Sequence, residues 1–129
     1  MRSLALVLCC FLLSIPSWAA PDWRKAETVT VVMVDDRFEP DHVTFHAGQP
    51  TTLRLVNRGK DMHEFTAPDF LHAATVRDPR ALSNNGGDIV VQPKQTVQVR
   101  LVPGHAGTYK LICADHDWDG MVGSITVLP

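Results

Sequence analysis

Cysteine is nearly missing from this chain of 129 residues: three occur, and Cys9 and Cys10 lie side by side in an apolar run near the start. That leaves Cys113 alone in the body of the chain, so an intrachain disulfide framework is excluded. No apolar run reaches the about 20 residues a helix needs to cross a bilayer, and the longest, Leu4 to Ile15, stops well short. Charge of one sign is missing too. The 12 Lys and Arg against 14 Asp and Glu give a formal net charge of −2, too mild to point to nucleic acid or to a membrane surface. Internal repeats, low-complexity tracts and His-x-His pairs are also absent.

The start of the chain has the form of an export signal. Arg2 supplies a positive charge, Leu4 to Ile15 an apolar core, and Ser17-Trp18-Ala19 small residues at the positions a signal peptidase reads. The expectation is a leader over residues 1–19, with cleavage after Ala19 or, as runner-up, Ala20. The mature part, 20–129, is then a soluble, exported domain without stable membrane insertion. Cys9 is a poor lipidation site, because bulky Leu8 precedes it. A single cysteine in an oxidising compartment needs protection or a function, and a bound metal would supply both.

Beyond the leader the chain reads as strands. Glu27 to Val34 is rich in β-branched residues, and Phe38-Glu39-Pro40 is extended, because the residue before proline avoids the helical region. His42 to His46, Thr51 to Asn57, Met62 to Thr66, Asp88 to Gln92, Thr96 to Val102, Thr108 to Cys113 and Val122 to Leu128 follow, separated by Gly, Pro and Asp turns. Alternation puts Leu53 and Leu55 on one face, and turns Val97, Val99, Leu101, Ile125 and Val127 inward. Seven to eight short strands at regular spacing argue for an all-β sandwich of one domain. One short helical segment is expected in the 67–87 connection, where the alternation breaks down.

The chemistry concentrates in Gly107 to Leu128. Cys113, His116 and Met121 follow one another as C-x2-H-x4-M on a tight loop between two strands. A thiolate, an imidazole and a thioether form a soft donor set that suits copper better than calcium or magnesium. Two histidines and a cysteine with a weak axial methionine make a blue-copper arrangement, and His63 is the best candidate for the second imidazole. Each residue also has a plainer reading: Cys113 as a buried core thiol, His116 as an exposed loop residue, Met121 as core filler, and His63 as one histidine among six.

These residues, with Phe38-Glu39-Pro40, Leu53-x-Leu55-x-Asn57, Tyr109-x-Leu111-x-Cys113 and Gly120-Met121-Val122-Gly123, resemble the small cupredoxins of the plastocyanin and pseudoazurin type. The resemblance spans nearly all of the mature chain. It implies a Greek-key sandwich holding one type 1 copper ion on His63, Cys113, His116 and Met121. It also implies a periplasmic, monomeric electron carrier that cycles Cu(II)/Cu(I) with a redox partner such as a cytochrome or copper enzyme, with His116 as the electron's exit. The same site serves an alternative role in copper sequestration, delivery or tolerance, with a copper donor or acceptor as partner. Catalysis is not expected, since copper oxidases and nitrite reductases draw on His-x-His pairs and a further domain.

One position departs from the family. Where the resembled proteins often carry an asparagine that ties the two ligand loops together, this chain has Glu64, and whether its carboxylate approaches the metal stays open. His42, His46, His72 and His105 are read as surface residues. His42 and His46 share a strand face but stand about 13 Å apart at the rise of a strand. Asp115, Asp117 and Asp119 surround His116, with Trp118 between them. They read either as a solvated loop or as an acidic docking face for a basic partner.

Overall fold

The computed structural model describes residues 19–129, so the expected leader lies almost wholly outside the described residues. The strands are β1 (Glu27–Val34), β2 (Arg37–Glu39), β3 (His42–His46), β4 (Thr51–Asn57), β5 (His63–Thr66), β6 (Thr75–Val76), β7 (Asp88–Val91), β8 (Thr96–Val102), β9 (Gly107–Ile112) and β10 (Val122–Leu128). One α-helix, α1 (Pro68–Ala73), lies in the connection after β5. The strands form two five-stranded sheets, ordered β2-β1-β4-β8-β6 and β3-β10-β9-β5-β7. From β2 to β9 each step along the chain changes sheet, as in a Greek-key sandwich. Each sheet has one parallel pair, β1 with β4 and β3 with β10, among antiparallel ones.

The longer strands follow the alternation read from the sequence, except β7, where neighbouring Asp88 and Ile89 are both buried. In β4, Thr51, Leu53, Leu55 and Asn57 are buried, and the residues between them are only partly so. Val99 and Leu101 of β8 lie beside them on the same sheet, and the buried Ile125 and Val127 of β10 belong to the opposing one. The two additional strands, β2 and β6, are three and two residues long, too short to carry a periodicity of their own. Partner strands define them: Phe38 stands opposite Met33, and Val76 opposite Leu101.

The helix falls inside the expected connection. Pro68 starts it, where the missing N–H costs nothing, and its buried Phe70 and Leu71 close one side of the core. The Phe70 ring lies 4.7 Å from that of Phe45 and 5.9 Å from that of Tyr109. Two 3-10 turns, Pro79–Ala81 and Asn84–Gly86, complete the connection. This arrangement fixes one pole of the sandwich. There, Thr66 of β5 pairs with Ile112 of β9, and His63 at the start of β5 pairs with Val91 at the end of β7.

Burial along β4 sets a stability contrast between neighbours. Leu53 has no exposed surface, so Leu53→Ala should cost about 2–5 kcal/mol. Arg54→Ala, one residue on and outside the core, should stay within about 0.5 kcal/mol. Urea unfolding of the two metal-free variants measures the difference, and similar midpoints would refute this orientation of β4.

A candidate metal centre at one pole of the sandwich

Cys113 sits one residue beyond the end of β9 and is completely buried. The loop it opens closes on itself through its backbone. Cys113 N–H donates to Met121 O at 3.0 Å, His116 N–H to Cys113 O at 3.1 Å, and Met121 N–H to His116 O at 3.1 Å. A 3-10 turn over Asp117–Asp119 ends at Gly120, whose φ of 94° lies in the left-handed region that glycine adopts freely. This backbone mesh gathers Cys113, His116 and Met121 in one short loop, with Met121 buried and His116 half-buried.

His63 enters from β5. Its Nδ1 lies 4.0 Å from Cys113 Sγ, and His116 Nδ1 lies 3.5 Å from the same sulfur. The two imidazole rings stand edge to face, 4.9 Å between centroids. The three donor atoms all lie within 4.8 Å of one another, the one such group of three among the described residues. Donors about 2.0–2.3 Å from a central ion in a trigonal plane stand about 3.5–4 Å apart. The two measured separations from the sulfur match that spacing, and the donor set is sulfur and imidazole with no carboxylate in it. The residues therefore fit a copper ion. Met121, buried in the same loop, supplies a thioether at this pole.

Glu64 is placed differently from a ligand. Its backbone N–H donates to Cys113 Sγ at 3.3 Å, which links β5 directly to the cysteine loop. Its carboxylate faces the backbone N–H groups of Ala114 and Asp115. Burial raises its pKa above the usual carboxylate range, as do the charges of Asp115 and Asp88, against those N–H groups. The tether between the loops at this position is therefore the backbone N–H of Glu64, and its buried Oε2 has no hydrogen-bond partner. Burial likewise pushes the Cys113 thiol up, opposed by the N–H groups of Glu64, Asp115 and His116. Those groups favour the thiolate that metal binding requires.

Asn57 is a supporting residue that the strand pattern alone did not single out. It is 1% exposed. Its amide donates to Asp61 O at 2.8 Å and to Val91 O at 2.9 Å, and its Oδ1 accepts Gly59 N–H at 2.8 Å. These bonds shape the loop that delivers His63 and fasten it to β7. A polar residue at a buried position of an alternating strand, two before a glycine, is the signal that marks it.

The remaining histidines lie apart from this group. His42 bonds Ser124 Oγ at 2.7 Å, His72 Nε2 lies 3.0 Å from Asn85 O, and the backbone carbonyl of His105 accepts the Tyr109 hydroxyl. His46 Nδ1 lies 3.6 Å from Glu27. Asp115, Asp117 and Asp119 are exposed around His116, and Trp118 between them is 79% exposed.

A family model for the cupredoxin-like domain matches residues 3–127. The chain belongs to the cupredoxin-like family. Solved cupredoxin structures share the fold at low identity. Auracyanin B superposes with a TM-score of 0.62 at 21% identity, covering 81% of this chain and 91% of its own. A dithionite-reduced auracyanin from Roseiflexus castenholzii gives 0.61 at 16%, covering 81% and 98%. A reduced amicyanin variant gives 0.51 at 19%, covering 88% and 96%. Within this cupredoxin, His63, Cys113, His116 and Met121 form a candidate type 1 site for one copper ion.

The Asn57 network yields a test of the support beneath that site. Asn57→Ala removes three hydrogen bonds and leaves the buried Gly59 N–H without its partner, so it should destabilise the metal-free protein by about 2–4 kcal/mol. A loss below about 1 kcal/mol in chemical denaturation would show that the loop holds itself without the amide.

Proposed function

We propose that this cupredoxin is an exported electron carrier, cycling one copper ion between Cu(II) and Cu(I) on His63, Cys113, His116 and Met121. The observation that carries the reading is the convergence of Cys113 Sγ and the two Nδ1 atoms within 4.8 Å at a buried pole. Copper bound there supplies a one-electron couple. The chain's own residues supply the rest. The buried thiol and the buried His63 ring exclude water, and the closed loop and β5 hold the donors still, so little rearranges between oxidation states. His116 turns its Nδ1 edge to the sulfur and is itself half-buried, which gives the centre its route to the surface.

The expected leader and the family point to the periplasm as the working compartment and to a monomer that meets its partner transiently. The exposed acids around His116 favour a partner with a basic face, with Trp118 as the apolar contact. A role in copper sequestration or delivery uses the same donors. A reversible couple with fast exchange to a partner separates carriage from it, whereas copper-induced expression and copper sensitivity on deletion favour handling.

One equivalent of Cu(II) should give the mature protein an intense visible thiolate-to-copper band and a matching EPR signal, both lost in Cys113→Ser. A pale spectrum indifferent to that substitution would sink the assignment. Replacing Asp115, Asp117 and Asp119 together by Asn should slow electron exchange with a lysine-rich c-type cytochrome several-fold at low salt. The rates should converge at high salt, where screening removes the attraction. The same change should raise the reduction potential, since nearby negative charge favours Cu(II). Unchanged kinetics together with an unchanged potential would reject the docking face.

A further inference from the structure

The side of His63 turned away from the sulfur raises a separate question. Its Nε2 is buried and makes no hydrogen bond. The carboxylate oxygen facing it is Asp35 Oδ1, 3.6 Å away, in the turn between β1 and β2. That distance is too long for a hydrogen bond, and too short for a bridging water, whose two bonds of ~2.8 Å span about 4.5 Å. The carboxylate is already oriented, because Oδ1 accepts Lys60 N–H at 2.9 Å. Gly59 borders the gap. A Cβ there would collide with Asp35 Oδ1 and come within 2.8 Å of His63 Nε2, so only glycine leaves the two groups room to approach.

Imidazole chemistry decides what the gap is for. A neutral ring has one N–H, and a metal on Nδ1 forces that proton onto Nε2. The metal-loaded site therefore carries a buried donor aimed at Asp35. We propose that Asp35 is a positioning residue of the metal centre: it takes the Nε2–H of His63, fixes the tautomer that leaves Nδ1 free to face Cys113 Sγ, and through its charge tunes the centre toward Cu(II). Carboxylates behind ligating histidines hold ring orientation and raise ring basicity in this way. Asp35 touches no reacting atom; it acts through His63. The tuning rests on the copper reading above, whereas the tautomer does not.

The test uses Asp35→Asn and Asp35→Ala beside the wild type. In the metal-free protein at pH 8, nitrogen-15 NMR of the imidazoles should show His63 as the Nε2–H tautomer in the wild type and in Asp35→Asn, whose amide oxygen still accepts. Asp35→Ala should give a tautomer mixture. In the copper-loaded protein, both variants should raise the Cu(I):Cu(II) ratio at a fixed applied potential about tenfold, equal to about 59 mV for one electron. Circular dichroism checks that each variant folds. If Asp35→Ala does not fold, Asp35→Asn, which keeps an acceptor for Lys60 N–H, decides through the ratio. An unchanged tautomer in Asp35→Ala, or an unchanged ratio in Asp35→Asn, overturns the proposal. A wild type without a thiolate–copper band would defeat the copper reading alone, and the metal-free tautomer would still judge Asp35.

Discussion

The N–H of Glu64 directed at the sulfur of Cys113 is the contact on which the rest of this pole depends. It joins the strand that brings one imidazole to the loop that brings the other. β5 and β9 pair only through Thr66 and Ile112, so the sheet ladder alone leaves their ends free to splay. The sulfur contact, with the Glu64 carboxylate facing the backbone of Ala114 and Asp115, closes that opening. Burial disfavours the charged thiol, and the N–H groups around it restore part of what burial removes. A thiol kept dry and partly compensated resists chance oxidation, yet is ready to give up its proton to a metal.

Much of the site was legible because its donors are close in sequence. Cys113, His116 and Met121 occupy nine consecutive positions, and their side-chain chemistry names a soft metal without any knowledge of the fold. His63 was legible only by need, as the imidazole that a three-donor loop lacks. Its approach to Cys113 is a tertiary fact, set by pairing between strands fifty residues apart. Asn57 and Asp35 were less visible, because each works through backbone groups or through another side chain. The position of Glu64 could be flagged from sequence, but not the contact of its backbone N–H with the sulfur.

The fold divides in the same way. Eight strands long enough to alternate were legible from that alternation, as was the helical interruption begun by Pro68. β6 was not, and β2 showed only as the extended Phe38-Glu39-Pro40 segment, since two or three residues become a strand only when a neighbour offers them a ladder. At 16–21% identity to the auracyanins, what persists is the sandwich.

The order of the sheets carries a consequence for how this molecule keeps company. Each sheet ends in short outer strands: β2 and β6 bound one, β3 and β7 the other, and none exceeds five residues. An outermost strand is a template on which a second chain can grow a ladder, and brevity blunts it. Short margins therefore discourage growth of either sheet from its edge, and the most exposed large apolar side chain among the described residues, Trp118, lies away from them in the loop of the metal centre.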